Sequence, residues 1–347
     1  MVYKDFDLVI AFLTLRIAMK DFRILSALCL FLLVGCQQSV DDLVVNENYP
    51  ISIEASIGDA GGSRYLATTF DAAAFTDKDE IGLAYKVGTD NATSFVKWTL
   101  NDDSWNPATE MKWKNIGDDH TFYAFYPYGD DGGSSTLGQV KMPVLTGQDG
   151  TMASVATRDF LVATKTMKYS NGGEVSFTEN NAFDHVSSLV VLTLKNAGDL
   201  ASATINNITL TGTNLVAEST YSFDNNTVTR ISSDDIMSAN ISTENSAMVG
   251  DFRKFYFVVN SSTVDLSAVT LSITYTSAGG EAYEASKTNL SQTEGHTQFQ
   301  SGYFYNYGIT VSTGNVLTIS GHTINKWKNG DSFDITIDNS QKQNQNS

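Results

Sequence analysis

Short runs of alternating apolar and polar residues recur along the chain. In the first half they are Ile51 to Ala55, Ile81 to Val87, Phe95 to Leu100, Thr121 to Tyr126 and Phe160 to Ala163. Leu189 to Leu194, Thr204 to Leu210, Phe255 to Val259, Leu271 to Tyr275, Tyr303 to Val311 and Phe333 to Ile337 continue the series. A period of two sends successive side chains to opposite faces of a strand, so each run predicts a half-buried β-strand. Clusters such as Gly129-Asp130-Asp131-Gly132-Gly133 supply the turns between them. No stretch sustains the period of a helix. Many short strands with frequent turns predict an all-β chain of tandem β-sandwiches. All four prolines, Pro50, Pro107, Pro127 and Pro143, and three of the four tryptophans, Trp98, Trp105 and Trp113, precede residue 150. That shift predicts a border near Phe177 to Phe183, with sandwich domains at 65–180 and 181–339 and a polar, disordered tail at 340–347.

Composition narrows the function. The 347 residues are enough for two cores. Lys and Arg total 22 against 39 Asp and Glu, for a net charge of −17. A surface so acidic repels a phosphate backbone, and no nucleic-acid partner is expected. The four histidines, His120, His185, His296 and His322, are scattered, with none at metal-ligand spacing. His185, just before a strand, reads as a residue packing a domain junction. No nucleophile elbow, phosphate loop or dinucleotide fingerprint occurs. The expectation is therefore no enzyme, no cofactor and no metal. The acidic clusters Asp77-Lys78-Asp79-Glu80, Asp102-Asp103, Asp118-Asp119 and Asp234-Asp235 read as solvated hairpin loops. Trp98, Trp105, Trp113, Tyr123, Tyr126 and Tyr128 have the chemistry to stack on sugars. Their place in alternating strands favours a role in the core.

The N-terminus carries an address. Met19-Lys20-Asp21-Phe22-Arg23 leads into an apolar run from Ile24 to Val34, too short for a permanent membrane span. It ends Leu33-Val34-Gly35-Cys36, which resembles the bacterial lipobox, whose cysteine is acylated and becomes the new N-terminus. Residues 1–36 are thus expected to be a signal peptide with its lipobox, with the true start at Met19 and Cys36 as the lipidation site. Cys29 leaves with the signal and Cys36 takes lipid, so no disulfide is expected. The mature chain is expected at the outer membrane.

Several segments together resemble the fimbrillin family, the two-domain lipoprotein pilins of type V fimbriae in Gram-negative anaerobes. They are Asp79-Glu80-Ile81-Gly82-Leu83, Tyr123-Ala124-Phe125-Tyr126-Pro127-Tyr128, Asp159-Phe160-Leu161-Val162-Ala163 and Phe183-Asp184-His185-Val186-Ser187-Ser188-Leu189. Gly302-Tyr303-Phe304-Tyr305-Asn306-Tyr307, Leu317-Thr318-Ile319-Ser320 and Ile324-Asn325-Lys326-Trp327 follow in order. The resemblance implies a transthyretin-like sandwich in each domain and export as a lipid-anchored precursor. It further implies removal of the first strand by an arginine-specific protease, then polymerisation by donor-strand exchange with other subunits. In this chain Arg64-Tyr65 is the candidate cut, closing a propeptide-like segment at 37–64. The displaced strand would carry Ile51, Ile53, Ala55 and Ile57. The candidate donor carries Phe333, Ile335 and Ile337, a stretch that equally reads as the last strand of its own domain. The implied role is a subunit of an extracellular fimbria serving adhesion to a host or bacterial surface ligand, with shaft favoured over tip. The alternative is a monomeric, glycan-binding surface lipoprotein.

Overall fold

The computed structural model describes residues 49–58, 74–212, 215–231, 236–240, 246–260, 265–291 and 297–327. The first part contains β1 (Ser52–Ala55), β2 (Glu80–Val87), β3 (Val96–Asn101), β4 (Ser104–Pro107), β5 (His120–Tyr126), β6 (Val140–Lys141), β7 (Leu161–Met167), β8 (Glu174–Phe177) and β9 (Asp184–His185). The second contains β10 (Ser188–Lys195), β11 (Thr204–Thr211), β12 (Ser219–Ser222), β13 (Thr227–Arg230), β14 (Ile236–Asn240), β15 (Phe252–Val259), β16 (Thr270–Thr276), β17 (Ala282–Thr288), β18 (Tyr303–Ser312) and β19 (Val316–Lys326). Among the described residues, the short α-helix α1 (Met152–Ala156) is capped by the Thr151 side chain. The chain is all-β, with sandwich-like sheets.

A six-stranded antiparallel sheet in the order β4-β3-β2-β5-β7-β9 buries both faces. One face carries Ile81, Leu83, Trp98, Phe122, Ala124 and Leu161. The other carries Ala84, Phe125 and Phe160, covered by Val140, Tyr221 and Phe223. That double burial explains why β2 lacks strict alternation. Gly82 lies opposite Phe125, and a Cβ there would overlap the buried Phe125 ring. Asp102 and Asp103, with φ of 47° and 63°, form the two-residue turn between β3 and β4, a hairpin geometry that short polar side chains tolerate.

An eight-stranded sheet, β14-β11-β16-β17-β19-β18-β10-β15, surrounds the largest core. Residues of β10, β11, β16 and β18 all enter the same cluster. Seven of the eight residues of β10 are buried, the mark of a strand covered on both faces. The halves also interleave. β6 pairs with β12, while Leu145, Met152 and Val155 join the large core. Gln148 fixes that excursion: its Oε1 accepts the Val258 N–H at 2.8 Å and its Nε2 donates to the Val258 carbonyl at 2.9 Å.

Candidate functional site

The first strand supplies a large part of the core that it enters. β1 runs parallel to β8, with Ile53 opposite Val175 and Ala55 opposite Phe177. Alternation then decides the faces: Ser52 and Glu54 are exposed, Ile51, Ile53 and Ile57 are buried, and Ala55 is half-buried against the same cluster. Both ends of the segment are tied by backbone bonds. At the start, the Ile51 N–H donates to the Met111 carbonyl at 2.9 Å and the Trp113 N–H to the Tyr49 carbonyl at 3.1 Å. At the far end, the Ser56 N–H donates to the Phe177 carbonyl at 3.0 Å, while Phe183 donates to Ser56 and accepts from Gly58, both at 2.9 Å.

The walls of this groove are aromatic. Phe75 makes edge contacts with Trp105, Tyr126 and Phe183 at centroid separations of 5.1 to 5.6 Å. Trp113 packs on Phe122 and donates its Nε1–H to the Gly173 carbonyl at 3.0 Å. Burying a large aliphatic side chain contributes about 1.5–3 kcal/mol, so Ile51, Ile53 and Ile57 together contribute roughly 5–9 kcal/mol. That is comparable with the whole stability of a typical domain, about 5–15 kcal/mol.

Phe183 lies two residues before His185, the hub of the junction between the sheets. The His185 Nδ1 is 2.9 Å from Asp159 Oδ2, and both side chains are over nine-tenths buried. Its ring stacks on Trp327 with centroids 3.9 Å apart and planes 7° from parallel. The Trp327 N–H donates to the Gly302 carbonyl at 2.6 Å. The end of β19 is thus fastened to β9, two residues beyond Phe183, which bridges to Ile57. His120 serves the groove as packing, between Trp113, Phe122 and Tyr85. Trp98, Trp113 and Tyr126 are buried, while Trp105, Tyr123 and Tyr128 are half-buried.

Of the residues singled out in the sequence, Ile51, Ile53, Ala55 and Ile57 come together in one groove. Cys36, Arg64, Tyr65, Phe333, Ile335, Ile337, His296 and the segments 1–36 and 340–347 lie outside the described residues. Sequence reasoning favoured a core role for Trp113 but did not single out the other groove walls, Met111, Val175, Phe177 and Phe183. The alternation of Val175 and Phe177 was the available signal.

The model of the fimbrillin-like family matches residues 67–327. The chain belongs to this family. Solved structures share the fold of this fimbrillin-like chain. A candidate cell adhesion protein from Bacteroides ovatus superposes with a TM-score of 0.55 at 19% identity, covering 80% of this chain and 97% of its own. A fimbrial protein from Bacteroides vulgatus gives 0.50 at 16% identity, covering 80% and 99%. No curated protein sequence matches. Membership gives the fimbrillin-like chain a structural, non-enzymatic role as a fimbrial subunit at the cell surface, in association with other subunits.

Proposed function

We propose that the chain is a structural subunit of a type V fimbria that polymerises by donor-strand exchange and serves adhesion, favouring the shaft over the tip. In this reading Cys36 carries the lipid that holds the precursor at the outer membrane, and the body comprises two tandem transthyretin-like domains at 65–180 and 181–339. An arginine-specific protease cuts between Arg64 and Tyr65, releasing the strand with Ile51, Ile53, Ala55 and Ile57. The stretch with Phe333, Ile335 and Ile337 from a neighbour then fills the groove.

One observation carries the reading: β1 is an N-terminal strand whose isoleucines complete a core otherwise built from residues 75 to 183. The donor offers apolar side chains at the same two-residue spacing, Phe-x-Ile-x-Ile against Ile-x-Ala-x-Ile. Both stretches flank the span matched by the family model, residues 67–327. Main-chain bonds supply affinity and alternate pockets supply specificity in such strand addition. Donor and groove are different surfaces, so the contact is head-to-tail and propagates as an open filament.

Arg64→Ala tests the cut. The wild-type chain treated with an arginine-specific protease should form SDS-resistant ladders, whereas the variant should remain a full-length monomer. Ladders of normal length from Arg64→Ala would overturn the cleavage assignment. Saccharide-retarded migration of the wild type without ladders would favour the monomeric glycan-binding lipoprotein.

A further inference from the structure

The second face of the six-stranded sheet opens onto a crevice of about 600 Å³, within the size range of small-molecule sites. It lies where β5, β7 and the turn before β9 approach the β12–β13 hairpin. Its wall is aromatic: Phe223 packs edge-on to Tyr123, with centroids 5.4 Å apart, and to Tyr221 at 5.1 Å. The Tyr221 hydroxyl donates to Asn226 Oδ1 at 3.0 Å, which leaves the Asn226 amide hydrogens as donors.

The rim is polar and neutral for most of its length. Thr164, Asn180 and Asn181 line it, and their side chains make no hydrogen bond to the protein among the described residues. The same is true of the half-buried Tyr123 hydroxyl. Among the described residues no lysine or arginine lines the crevice and the one acidic lining residue is Asp184, with Asp224 close enough to Tyr123 to act on it electrostatically. An anionic ligand is disfavoured by that balance. Amides and hydroxyls in excess of charge, facing an aromatic wall, match a ligand with many hydroxyls on an apolar ring.

We propose that this crevice binds a neutral saccharide, packed against Tyr123 and Phe223, with its hydroxyls bonded by Thr164, Asn180, Asn181 and the Asn226 amide. The site is separate from the β1 groove and is present in the monomer, so it does not rest on strand exchange.

Saturation-transfer NMR of the full chain with lactose, maltose, cellobiose and N-acetyllactosamine tests it. At least one should receive magnetisation, and its affinity should fall tenfold or more in Asn180→Ala/Asn181→Ala, whose side chains make no hydrogen bond among the described residues. Tyr123→Phe, which removes only the hydroxyl, should weaken binding severalfold. Absence of transfer to all four sugars, equal affinity in the double variant, or displacement of the sugar by tetramethylammonium would each overturn the proposal. Arg64→Ala should bind the same sugar as the wild type. Loss of ladders and loss of sugar binding are therefore separate results, and each tests only its own claim.

Discussion

His120 ties protonation to folding through a bond that needs a neutral ring. Its Nε2 accepts the Lys114 backbone N–H at 3.1 Å, so Nδ1 carries the hydrogen and donates to the Asp118 carbonyl at 3.1 Å. Burial pushes its pKa below the ordinary histidine value, while Asp118 pulls the other way. The unfolded chain takes up this proton near pH 6.5, and the folded chain takes it up only at lower pH. More protons bound by the unfolded state make stability rise with pH. The contribution of His120 is thus complete above about pH 6.5 and is lost as pH falls toward its folded value. His120→Gln, less stable at neutral pH, should lose less stability than the wild type between pH 7 and 5. Urea midpoints measured across that range check this, and parallel profiles for the two proteins would contradict it.

At the scale of elements, alternation was the legible signal wherever a strand has one wet face. It located β1, β3, β5, β11 and β16 within a few residues, and it assigned the faces of β1. Strands without that contrast escaped it. β12, Ser219–Ser222, is buried at all four positions but reads as polar. β17 exposes all but Ala285, so no apolar face marks it. The groove was legible in part, because its occupant lies in one short run while its walls come from distant segments. Ser176 Oγ donates to Glu54 Oε2 across 122 residues of sequence. Asp159, His185 and Trp327 likewise meet only through the fold, as do Tyr123 and Phe223 at the crevice. Alternation along β1 has a direct test. Ile57→Ala should cost about 2–5 kcal/mol, as for other buried isoleucines. Ser52→Ala and Glu54→Ala on the exposed face should stay within about 0.5 kcal/mol of the wild type. Equal losses at both sets in urea denaturation would mean that the strand does not bury one face.

For the molecule as a whole, the open question is which body the Phe333, Ile335 and Ile337 stretch completes. Trp327 is buried, stacked on His185 and bonded through its N–H to the Gly302 carbonyl. Those contacts fix the end of β19 at the junction. The five residues from Lys328 to Ser332 can span roughly 16 Å when extended, at about 3.3 Å per residue, enough to carry the next stretch clear of the junction. If that stretch is a donor, a chain lacking residues 331–347 keeps the thermal midpoint of the full-length precursor. After protease treatment it cannot fill a neighbour's groove, so ladders fail to grow. If the stretch instead completes its own domain, the deletion strips buried aliphatic and aromatic side chains worth about 1.5–3 kcal/mol each. The midpoint then falls by several degrees before any protease is added. Calorimetry of the two precursors, followed by the ladder assay, separates the cases. An unchanged midpoint with arrested growth is the expected result, and a lowered midpoint would return the strand to its own sandwich.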